Sequence, residues 1–208
     1  AYTVLSYFYV WTTAAAWFGC LFMIWLIERP EGWRREVKLL AFLGAAFAVV
    51  LAPYAYLLSN RSDTMEHVQL LVRTHAPDLF RFPEYIGFAV LLILIVGLAT
   101  RRIEMKQRST LFILSLALVP FIVFNQQILT GRSLQPIHYQ VFIGNYLAGL
   151  ALVLSIGLVF RGFLTQNGVW ARTVCTGFAV LAVVWGFVEC HYTVRVLDDA
   201  NIERDLSL

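Results

Sequence analysis

Six long apolar runs constrain this chain more than any other feature of it. They cover residues 2–27, 39–58, 85–100, 109–128, 140–160 and 173–190. A helix needs about 20 such residues to cross the hydrocarbon of a bilayer. The third and sixth runs are short, but flanking aromatic and polar residues at headgroup depth extend them. None alternates with period two, as the strands of a membrane barrel would. Helices also satisfy their own backbone groups where no water can. The expected fold is therefore all-α: one transmembrane bundle over 1–208, with about six membrane helices. Composition agrees, since 60% of the 208 residues are hydrophobic and 14% are charged. Soluble domains average about 45–50% apolar and about 25% charged.

Orientation follows from the basic residues between the runs. The first connection carries Arg29, Arg34, Arg35 and Lys38, the third Arg101, Arg102, Lys106 and Arg108, and the fifth Arg161 and Arg172. The second carries Arg61, Arg73 and Arg81, the fourth Arg132, and the tail Arg195 and Arg204. Basic loops stay cytoplasmic, which predicts a multi-pass protein of the cell (inner) membrane with both ends outside. The net charge of +3 is explained by these anchors and calls for no nucleic-acid partner. The chain begins without Met inside an apolar run, and this suggests a piece of a longer or processed protein.

The long second connection, 59–84, falls outside by the same rule. Asp63-Thr64-Met65-Glu66 has capping-box spacing, and Met65, Val68, Leu71 and Val72 recur at helical intervals before Pro77. This predicts an amphipathic helix within 63–76 lying on the outer leaflet. A plain loop packed on the helix ends is the alternative. Asn60-Arg61-Ser62 is a glycosylation sequon, a tripeptide that often arises by chance.

Polar residues enter the apolar runs mainly on that outer side. Asn125, Gln126 and Gln127 end the fourth run, and Arg132, Gln135 and His138 precede the fifth. Gly131 can take positive φ after the helix. Arg132 offers a planar fork suited to phosphate, and His138 can exchange a proton near neutral pH. His138, Phe142 and Asn145 are spaced to share a helix face. The sixth run adds Glu189, an acid within apolar sequence, and His191 at the same side. Arg132, Gln135, His138, Glu189 and His191 are expected to converge on one outward cavity. Capping and headgroup contact is the competing explanation for each of them.

Several chemistries are excluded. No phosphate-binding glycine loop, dinucleotide fingerprint, voltage-sensing helix or carbonyl filter occurs. His67, His75, His138 and His191 all lie in loops or at helix ends, which argues against haem held within the bilayer. Cys20, Cys175 and Cys190 read as small apolar residues, and no metal or cofactor is expected.

The apolar helices, the outward amphipathic loop and the 125–140 stretch resemble the C-terminal membrane region of bacterial GT-C-type polytopic glycosyltransferases. Thr130-Gly131-Arg132 is also similar to the TGR of O-antigen polymerases and ligases. The resemblance implies a polyprenyl-phosphate-linked substrate handled at the outer face. Arg132 would then hold the phosphate, and Gln135, His138 and the three amides would orient the head. GT-C enzymes carry their catalytic acids in an N-terminal external loop, so no acid is carried over to Asp63, Asp78 or Glu84. A non-catalytic structural or accessory subunit, held by membrane lipids and other membrane subunits, is the alternative. A proton-coupled transporter using Glu189 is a third reading.

Overall fold

The computed structural model describes residues 8–60, 72–133, 135–162 and 168–206, along much of the last stretch by backbone alone. The elements are α1 (Phe8–Glu28), α2 (Trp33–Ser59), β1 (Val72–Arg73), α3 (Phe82–Ala99), α4 (Arg108–Asn125) and the short α5 (Gln127–Thr130). They continue with β2 (Arg132–Ser133), the short α6 (Pro136–Tyr139), a π turn (Gln140–Gly144), α7 (Asn145–Val159) and α8 (Gly168–Leu206). Among the described residues six spans are long and apolar enough to cross a membrane, with α4–α5 and α6–α7 each counting as one. The protein is thus an all-α integral membrane bundle. Two compact units divide it, residues 1–160 and 161–208, and the second holds α8.

In the first unit α4 is the central helix. It packs on α1, α3 and α7, and α3 packs on α7. Val90, Leu94, Ile113, Leu116, Ala117 and Ala151 form the seam among α3, α4 and α7. Small residues set the helix separations. A Cβ on Gly87 would lie 2.9 Å from the Ala117 carbonyl oxygen and from the Phe121 ring. Close backbone approach through small residues is how membrane helices gain contact when lipid supplies no hydrophobic drive between them. A polar link crosses from Trp17 Nε1 in α1 to Ser115 Oγ in α4 at 3.0 Å. α2 packs chiefly on α1 and turns Phe42, Val49, Tyr56 and Leu57 outward.

The connections segregate as an alternating bundle requires. At one end Arg108 and Glu36 pair at 3.4 Å across the first and third connections. At the other, β1 and β2 join the second and fourth.

Two expectations need correction. The first is the amphipathic helix expected within 63–76. Residues 63–71 lie outside the described residues, but Val72 and Arg73 are strand and 74–80 are non-helical. Helix does not reach Pro77 because this stretch spends its backbone groups on the fourth connection instead. The third run is extended at its flank, as expected: α3 starts at Phe82, since Pro83 suits a first turn and Glu84 Oε2 accepts the Arg81 N–H at 2.9 Å. The second correction is the π turn that lies between His138 and Asn145. One extra residue in the repeat rotates the downstream helix by about 100°, so the i, i+7 face-sharing argument fails there. Asn145 leaves the face on which His138 and Phe142 still stack, 5.7 Å apart and 10° from parallel.

Candidate functional site

The polar end of the first unit is built on the junction of α4 with the 72–84 segment. α4 ends at Asn125, α5 adds one turn, and Gly131 closes it at φ +68° with its N–H bonded to the Gln127 carbonyl at 2.8 Å. This is the left-handed stop expected of that glycine. Its Cβ position is hemmed in from outside as well, because the His75 ring would come within 3.0 Å of any side chain there.

The three amides then divide their work. Asn125 Nδ2 donates to Glu84 Oε1 at 3.1 Å and to the Phe121 carbonyl at 3.0 Å, while its Oδ1 accepts the Asp78 N–H at 3.0 Å. Gln127, almost fully buried, donates to the Ala76 carbonyl at 3.2 Å. Gln126 stays at the rim, donating to the Arg132 carbonyl at 2.9 Å and accepting from Thr130. Asn125 and Gln127 thus hold the 76–84 segment against the helix ends.

Glu84 is completely buried. The backbone N–H of Arg81 and the Asn125 amide both donate to its carboxyl, which offsets the cost of burying such a group. Asp78 takes Arg81 in a forked pair, with Nε at 2.9 and 3.0 Å and Nη2 at 2.8 Å, over the Phe124 ring. Sequence reasoning gave Asp78 and Glu84 no role. The one signal was for Glu84, an acid three residues after Arg81 and immediately before an apolar run.

The register of β1 on β2 brings Arg73 opposite Arg132. Thr74 N–H bonds to the Gly131 carbonyl at 3.1 Å, so the pair flanking Arg73 is the hydrogen-bonded one. Arg73 and Arg132 therefore occupy a non-hydrogen-bonded position, where facing side chains stand closest. Both are exposed. Two like charges directly opposite each other repel, and an anion between them would cancel that repulsion.

Gln135 and His138 form a second group with α1. Gln135 sits at φ +33°, and its Oε1 accepts from Tyr9 Oη at 2.8 Å. The His138 ring lies between Tyr9, at 5.1 Å, and Phe142. Its buried Nδ1 has no hydrogen-bond partner among the described residues. Glu189 and the exposed His191 belong to α8 in the second unit. Of the expected set, the first unit carries Asn125, Gln126, Gln127, Arg132, Gln135 and His138 at one end, in two groups. The chain matches no protein-family profile, no curated protein and no solved structure.

Proposed function

We propose that the chain binds the phosphate of a polyprenyl-linked substrate between Arg73 and Arg132 at the outer end of the bundle, as the membrane part of a glycosyltransferase-like enzyme. The observation that carries this reading is the cross-strand register of those two arginines. A phosphate accepts from two guanidinium forks at once, and the anion relieves the repulsion between facing cations. The segment bearing Arg73 is pinned to the α4 end by Asn125 and Gln127, so the pair is held before a ligand arrives. Pre-organisation of this kind lowers the ordering cost of binding. Asp78 is committed to Arg81 and Glu84 to Asn125, so neither is offered as the base of a transfer step.

The test is retention of polyprenyl phosphate by the purified full chain, read by native mass spectrometry. Arg73→Gln and Arg132→Gln should each weaken it about tenfold, the value of one charge-assisted hydrogen bond. Undiminished binding in the double variant would overturn the reading. An accessory-subunit role is favoured by one observation, the outward apolar face of α2. Co-purification of a partner that is lost on replacing Phe42 and Val49 by Ala, with phosphate binding absent throughout, would establish that role instead.

A further inference from the structure

The segment that leads into α3 has its charged and apolar residues on the wrong sides for a connection in water. Its three charges turn toward the protein. Glu84 is completely buried, and Asp78 and Arg81 are half-buried in their forked pair over the Phe124 ring. The apolar side chains turn out instead, with Leu79, Phe82 and Tyr85 each about half exposed or more. A connection in water ordinarily does the reverse.

Phe80 is the sharpest case. Its backbone takes φ +74°, a region that glycine enters freely and a bulky residue rarely adopts. Its ring stands 6.2 Å from that of Tyr85, yet 69% of the residue stays exposed. Packing within the chain does not account for a strained phenylalanine that is so open. Its apolar partner lies outside.

Two observations identify that partner. The exposed apolar surface does not stop at Phe82 but runs on along α3 through Phe88, Leu92 and Ile95, within a membrane span. That span is also short. The 18 residues of α3 reach about 27 Å, against a hydrocarbon core of about 30 Å. At its far end Arg101 and Arg102 follow at once, so the shortfall is made up on the Phe80 side.

Irregular backbone is tolerated at that depth only where the protein takes up its polar groups. The Ala76 carbonyl accepts from Gln127, the Asp78 N–H donates to Asn125, and the Arg81 N–H donates to Glu84. The Arg81 carbonyl accepts the N–H groups of Glu84 at 2.9 Å and Tyr85 at 3.1 Å. The polar side chains at the junction thus stand in for the water that this stretch of backbone lacks.

We propose that residues 79–85 form a wedge set into the leaflet at this end of the bundle. Leu79, Phe80, Phe82 and Tyr85 meet lipid where the acyl chains join the headgroups, the depth at which aromatic residues anchor membrane proteins. The partner is the lipid surface itself, and the wedge requires no ligand at Arg73 and Arg132.

The experiment places nitroxide labels on the full chain in nanodiscs, on a background lacking Cys20, Cys175 and Cys190. Leu79→Cys, Phe80→Cys and Phe82→Cys are compared with Leu92→Cys, in the span, and Arg35→Cys, exposed at the opposite end. All five side chains already point out of the protein, so the labels leave its packing intact. Power saturation reads access to oxygen, which concentrates in lipid, and to a neutral nickel chelate, which stays in water. The ratio of oxygen to nickel access at 79, 80 and 82 should be several-fold above that at 35 and approach that at 92. A ratio at 80 equal to that at 35 would overturn the proposal, because the segment would then stand in water. Low access to both reagents at 79, 80 and 82 would overturn it too, because a protein surface would then cover the segment.

Discussion

Glu84 and Asn125 meet through a 3.1 Å hydrogen bond that ties the first turn of α3 to the last turn of α4. Each is also bonded to the segment before α3, through the Arg81 and Asp78 N–H groups. The two side chains therefore fix three things together: the ends of two helices and the path of the connection that carries Arg73 toward Arg132. Polar groups at membrane depth are costly unless paired, and here the pairing shapes the end of the bundle that carries both arginines.

Replacing Asn125 by Ala strands one Glu84 oxygen and the Asp78 N–H. A buried polar group left without its partner costs about 1–3 kcal/mol, so Asn125→Ala should lower Tm clearly in thermal melts of the detergent-solubilised protein. An unchanged Tm would show that the junction contributes no stability.

Gly131 combines positive φ with the His75 ring standing over it. Gly131→Val should destabilise by more than the ~1 kcal/mol of an ordinary glycine replacement, and it should displace the 72–75 segment. Accelerated proteolysis near His75 is the expected readout. His75→Ala with Gly131→Ala relieves the contact but keeps the backbone penalty, so rescue should be partial.

His138 offers a clean separation of stability from function. His138→Phe preserves the stack between Tyr9 and Phe142 and removes a buried nitrogen that lacks a partner among the described residues. Tm should hold or rise, since an apolar replacement of an unsatisfied group is neutral or favourable. Weaker polyprenyl phosphate binding at unchanged Tm would assign the imidazole to the ligand.

The Trp17–Ser115 link can be weighed by a double-mutant cycle of Trp17→Phe with Ser115→Ala. Interhelical hydrogen bonds in membranes contribute about 0.6 kcal/mol on average and up to about 1.7 kcal/mol, and the coupling energy should fall in that range. A zero coupling would leave only packing between α1 and α4 at this level.

Cysteines introduced at Lys106 and Ser133, on a background lacking Cys20, Cys175 and Cys190, should be labelled from opposite sides of the membrane. Labelling of both from one side would contradict the alternating path implied by the Arg108–Glu36 and β1–β2 contacts.

The sequence alone determined the helices, and the reason is solvent. In hydrocarbon every backbone group must be satisfied within its own segment, so length and apolarity suffice to mark a span. It also marked Gly131 as a left-handed stop and drew attention to the amide run at 125–127, because polar residues stand out in apolar sequence. The tertiary structure decided which partners those residues take. Glu84 lies 41 positions from Asn125, and Arg73 lies 59 from Arg132. No local periodicity records such pairings. Membrane helices are apolar on all faces, so their sequence scarcely distinguishes the face that packs on a neighbour from the face that meets lipid. The π turn after Tyr139 was hidden for a related reason. It shifts the register by one residue where Gly144 must pass close to Pro83 and Phe124, and that demand comes from neighbouring helices rather than from the turn's own residues.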